Sequence, residues 1–217
     1  MPYTYTVADA IRDSKNRKFT AATATQILGD ASASLSHAKE HMKSEDFWAT
    51  QRTDSSGAAV GTVDAVDGHL KSAYKKRTKH SMFDSPLSSV EAITAALNTE
   101  IGELALKALL GKPDATDGID LYSRTAVATL GSTKQFTRSN TTGSAAGAAS
   151  MNDDAAEYVV VCLRKTTTSY LVFASAYPVA SNSTSTTKEA GKDWFQSQKD
   201  KSVIRSMTKT SPPVVIW

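Results

Sequence analysis

Two runs in the last third of the chain, EYVVVCLRK (157–165) and SYLVFASAYPV (169–179), are its strongest strand signals, and only TTT separates them. Both are rich in β-branched and aromatic residues, which suit a pleated, half-buried surface. Two such strands with so short a polar link pair as an antiparallel hairpin. Upstream, GIDLYSRTAVATL (118–130) and TKQFTRS (133–139) also read as strands, whereas PPVVIW (212–217) reads as a final extended piece.

Before Gly118 the pattern is helical. SMFDSPLSSVEAITAALNTEIGELALKALLGKP (81–113) repeats apolar residues at three and four, with Ser88 and Glu91 at capping-box spacing. Gly102 is expected to divide this region into two helices, and Gly111 and Pro113 to end it. VADAIRDSKNRKF (7–19) reads as a helical lead-in, broken by ILGDASAS at Gly29. Helices first and antiparallel strands second is an α+β layout. NTTGSAAGAASMNDD (140–154) and SNSTSTTKEAG (181–191) read as loops, and KDWFQSQKDKSVIRSM (192–207) as a short amphipathic helix. Residues 1–34 form a lead-in segment with the character of a linker, and 35–217 one domain.

The hydrophobic fraction of 40% over 217 residues supports a packed core, and a net charge of +3 permits a polyanionic partner. The single cysteine, Cys162, rules out an intramolecular disulfide and reads as a buried core residue. The N-terminus carries no secretory signal pattern, and no run approaches the roughly 20 apolar residues of a membrane span. Export would use another route or a larger polypeptide.

Candidate chemistry begins at HAKEHMKSEDFWATQR (37–52). On a helix, His37 and His41 share a face. One reading is metal: HAKEH fits H-x-x-E-H, with a glutamate to activate zinc-bound water. A third ligand is then needed, and Glu91, Glu100 and Glu103 are explained by the periodic helix that carries them. A second reading is RNA cleavage without metal or other cofactor. Histidine suits proton transfer near neutrality, and arginine and hydroxyls suit a phosphate on which charge develops. His41 with Arg52 supplies the first set. Ser175 and Tyr177, two apart on a strand and so on one face, supply the second. Taken alone, the pair reads better as a half-buried Tyr177 ring with Ser175 incidental. KSAYKKRTKH (71–80) places Lys71, Lys75, Lys76, Arg77 and Lys79 around Tyr74, either as a solvated loop or as a track for RNA backbone with a stacking face. A third reading is a non-enzymatic module that docks an anionic partner on this segment.

The order of HAKEHMKSEDFWATQR, HSMFDSPLSSVEAITAALNTEIGELALKALL and EYVVVCLRKTTTSYLVFASAYPV resembles the RNase A-like toxin domains at the C-termini of bacterial contact-dependent inhibition proteins and related polymorphic toxins. The resemblance covers about residues 35–180. It implies an RNase A-like α+β fold without disulfides. It also implies an endoribonuclease that acts on RNA, tRNA foremost, by 2′-hydroxyl transphosphorylation to a 2′,3′-cyclic phosphate. His41 would be the acid–base histidine, Arg52 the phosphate cation, and Tyr177 the tyrosine of a T-x-Y-P element in which Ser175 replaces threonine. The second proton carrier is open between His37 and His80, with Tyr177 or Lys39 as substitutes. His69 has no supporting context. The resemblance further implies a monomeric toxin in interbacterial competition, delivered as part of a larger protein, acting in the target-cell cytoplasm and bound by a cognate immunity protein.

Overall fold

The structure is a computed structural model that describes residues 3–30, 79–83, 86–113, 115, 117–130, 133–138, 149–153, 156–180, 202–207 and 214–215. The opening helix, α1 (Val7–Lys15), starts where Thr6 can cap it. Asp9 N–H donates to Thr6 Oγ1 at 3.1 Å, and Thr6 N–H donates back to Asp9 Oδ2 at 3.3 Å. Thr20 Oγ1 caps α2 (Ala21–Asp30) by accepting from Thr23 N–H at 3.1 Å, and α2 runs through Gly29 rather than breaking there.

The strand β1 (Lys79–Phe83) follows, so Ser81–Phe83 is extended and not part of the helical region. The next helix, α3 (Pro86–Leu97), begins on a proline, whose missing N–H costs nothing in a first turn. Ser88 therefore lies inside the helix, and its capping-box spacing with Glu91 is not the start signal. The expected division into two helices is present, but it falls at Asn98–Thr99. Thr99 caps α4 (Glu100–Leu110) by accepting from Gly102 N–H at 2.9 Å. Gly102 serves a different purpose. A Cβ there would stand 2.5 Å from the carbonyl oxygens of Ala96 and Leu97, so only glycine lets α4 approach α3 so closely.

β2 (Gly118–Ser123) leads into a 3-10 turn over Thr125–Thr129, which replaces the second half of the expected strand. β3 (Thr133–Arg138), β4 (Ala149–Asp153), β5 (Ala156–Lys165), β6 (Leu171–Ala180), β7 (Val203–Met207) and β8 (Val214–Val215) complete the described elements. β4 occupies part of a stretch expected to be a loop, and β7 overturns the expected helix over its own residues. β5 and β6 form the predicted antiparallel hairpin, and Ser169 in its turn adopts φ 64. The strands make two antiparallel sheets, ordered β1-β3-β4 and β6-β5-β2-β7-β8. The fold is α+β, with N-terminal helices followed by antiparallel sheet.

One apolar cluster joins the helices to one face of the five-stranded sheet. Val7, Phe19, Ile27, Ile93, Leu97 and Leu106 meet Leu121, Val161, Phe173 and Ile204 there. Residues 3–30 are built into this core. Ser14 Oγ donates to Leu97 O, and the Asn98 side-chain amide both accepts from Phe19 N–H (3.1 Å) and donates to Phe19 O (2.8 Å). The expected boundary at residue 34 lies outside the described residues. Among them, no helix is long and apolar enough to cross a membrane.

Candidate functional site

Alternation along the strands assigns a second face to the five-stranded sheet, away from the helices. Tyr122, Tyr158, Val160, Cys162, Val179 and Val203 form a smaller cluster on it, with Ala174 and Tyr177 packed against them. Cys162 is buried there, as the sequence predicts.

The placement of Ser175 and Tyr177 depends on one irregularity. In an unbroken strand, Leu171, Phe173, Ser175 and Tyr177 would share a face, and Leu171 and Phe173 belong to the helix-covered core. The ladder slips between Cys162↔Ser175 and Leu163↔Phe173, leaving Ala174 as the extra residue of a β-bulge. Beyond the bulge, Ala176 returns to the main core, while Ser175 and Tyr177 pair with Cys162 and Val160 of the second face. Both side chains remain half-buried. The bulge thus sends two hydroxyls to the second face, rather than into the apolar core shared with the described helices.

The register continues across the sheet. Ser175 lies opposite Cys162, Cys162 opposite Asp120, and Asp120 opposite Arg205. Asp120 Oδ1 accepts from Arg164 Nη1 at 3.3 Å. Arg205 is 1% exposed and donates from Nη1 to Tyr122 Oη at 3.2 Å. The Tyr122 and Tyr158 rings meet edge to face at 6.4 Å, and the Arg124 guanidinium lies 5.4 Å from the Tyr158 ring centre. Among the described residues this face therefore carries Arg124, Arg164 and Arg205 with the hydroxyls of Ser175, Tyr122, Tyr158 and Tyr177, in a setting where charges are costly without partners. Asp120, Arg164 and Arg205 were not singled out in the sequence. Their signal is a charged residue inside an otherwise apolar strand, in GIDLYS, VCLRK and SVIRSM.

His37, His41, Arg52, Lys71, Tyr74, Lys75, Lys76 and Arg77 lie outside the described residues. Lys79 and His80 lie on β1, opposite Thr137 and Phe136. β1 packs beside β6, so the strand that carries His80 neighbours the strand that carries Ser175 and Tyr177. Among the described residues, no group of three histidine, cysteine or acidic side chains is placed to hold a metal ion. No family model matches the chain, and neither a curated protein nor a solved structure matches it.

Proposed function

We propose that this chain is a metal-independent endoribonuclease toxin that cleaves RNA, with tRNA as the first substrate to test. The observation that carries the proposal is the β6 bulge, which turns the half-buried Ser175 and Tyr177 to the second face of the sheet. Two hydroxyls so placed can donate to one phosphodiester. The α+β layout and the resemblance of 35–180 to RNase A-like toxin domains support the same reading.

In the proposed reaction, a base takes the proton of the RNA 2′-hydroxyl. The freed oxygen attacks phosphorus and closes a 2′,3′-cyclic phosphate. The bond from phosphorus to the 5′-oxygen breaks, and that oxygen takes a proton from the acid. His41 is assigned acid–base work and Arg52 the phosphate charge. His80 gains weight as the second proton carrier because β1 neighbours β6, and His37 is the alternative. Lys71, Tyr74, Lys75, Lys76, Arg77 and Lys79 would track the RNA backbone. Delivery as part of a larger toxin, action in the target-cell cytoplasm and an immunity protein covering the site belong to the same proposal.

The test incubates purified protein with total tRNA in EDTA, beside the variants His41→Ala, Ser175→Ala and Tyr177→Phe. Cleavage with cyclic phosphate ends, abolished by His41→Ala and cut at least tenfold by either hydroxyl variant, is expected for loss of proton transfer or phosphate donors (about 10²-fold and more for a strong contributor). Intact tRNA at high protein excess would sink the proposal.

A further inference from the structure

Arg164 is a cation whose position the structure explains and the proposed chemistry leaves unused. It follows Cys162 by two on β5 and so shares the second face with Ser175 and Tyr177. Its Nη1 donates to Leu163 O at 2.8 Å and to Asp120 Oδ1 at 3.3 Å. The guanidinium rests on the backbone of Gly118, where an added Cβ would stand 1.8 Å from Nη1. A carboxylate, a carbonyl and a bare glycine therefore hold the group in place. The Asp120 side chain is 8% exposed, whereas that of Arg164 is 24% exposed.

A guanidinium carries five N–H donors in a fixed fork that matches phosphate oxygens. The bonds Arg164 makes to described residues all run from Nη1, leaving Nε and Nη2 to meet an incoming anion. Asp120 also lies opposite Arg205 in the register of β2 and β7. Asp120 stands two strands from Ser175, a backbone separation of about 10 Å at ordinary strand spacing. The guanidinium rests on Gly118, two residues further along β2 on the side away from Tyr177, which suits a phosphate neighbouring the one at the β6 hydroxyls.

We propose that Arg164, held by Asp120 and Gly118, binds an RNA phosphate adjacent to the one that is cleaved. This rests on the ribonuclease reading, and the experiment separates the two. Wild type and Arg164→Gln are compared on a tetranucleotide and on a dinucleoside monophosphate, which has only the scissile phosphate. Because Arg164→Gln leaves the buried Asp120 without its partner, the double variant Asp120→Asn/Arg164→Gln is run beside it, with folding checked by thermal melting. The loss in kcat/KM on the tetranucleotide should exceed that on the dinucleoside monophosphate by about tenfold, the size of one charge-assisted contact. Equal losses on the two substrates, or none, would overturn the assignment. If wild type cleaves neither, the tRNA assay decides the ribonuclease reading, and Arg164 is judged by binding of a single-stranded DNA tetranucleotide across a salt series. A slope of log K against log salt shallower by about 0.7 in both variants keeps it as a phosphate site. An unchanged slope removes it.

Discussion

Ala174 contributes no chemistry of its own, yet its extra place in β6 decides what two of its neighbours can do. The sequence shows that Ser175 and Tyr177 share a face, because residues two apart on a strand do so. It does not show which face, since reading the alternation straight through from Phe173 puts both hydroxyls among the helices. Nothing in FASAY marks the slip, which arises from how β6 pairs with β5. Gly102 is the opposite case: its sequence signal is plain, but its role differs from the one expected. It does not break the helix; it admits the backbone of Ala96 and Leu97 at a distance no Cβ tolerates. Gly102→Ala should therefore destabilise the fold by about 1–3 kcal/mol, as overpacking does, despite alanine's better helix propensity. Urea denaturation would measure it, and a midpoint at or above wild type would contradict the close approach.

Among elements, those with a local reason to form were legible. The β5–β6 hairpin, the helices on either side of Thr99 and the capped α1 each follow from alternation, periodicity or a cap. β7 was not, because SVIRSM has an arginine at its centre and reads as polar on one side. The buried Arg205 donates across the sheet to Tyr122, a partner more than 80 residues away in sequence. At α1 the local electrostatics make a further prediction. The Thr6 hydroxyl, donating to Asp9, holds that carboxyl below its usual pKa, and the Tyr5 hydroxyl does the same for Asp13. Burial and Asp13 together push the Tyr5 phenol up. Groups with a lowered folded pKa stabilise the fold above their unfolded pKa, and that contribution fades as pH falls through the folded value. The acid limb of a stability–pH curve should therefore flatten in an Asp9→Asn/Asp13→Asn variant, measured as Tm between pH 7 and pH 2; a limb parallel to wild type would contradict the network.

The molecule as a whole is organised around a core that both ends of the sequence share. Phe19 lies between Tyr5 and Phe173, with ring centres 5.9 and 6.4 Å away. Removal of residues 1–30 should therefore expose Phe173 and Leu97 and abolish a cooperative thermal transition, read by near-UV circular dichroism. A truncated chain that melts sharply at the wild-type temperature would mean that the segment is only appended. Composition and charge gave no hint of this integration, because VADAIRDSKNRKF is too polar to announce a core helix and its buried residues are few. The candidate site was half legible for a related reason: its hydroxyls sit in a strong strand, while Asp120, Arg164 and Arg205 become neighbours only through sheet order. The attachment of the N-terminus also has a temporal side. Thr6 bridges Tyr170, Val7 N–H donates to Ser169 O, and Leu171 N–H donates to Tyr5 O. Residues 5–7 thus find their partners only after the β5–β6 turn has been made. Contacts so distant in sequence are slow to close, so a nascent or partly threaded chain passes through a long interval in which α1 has its cap but no seat.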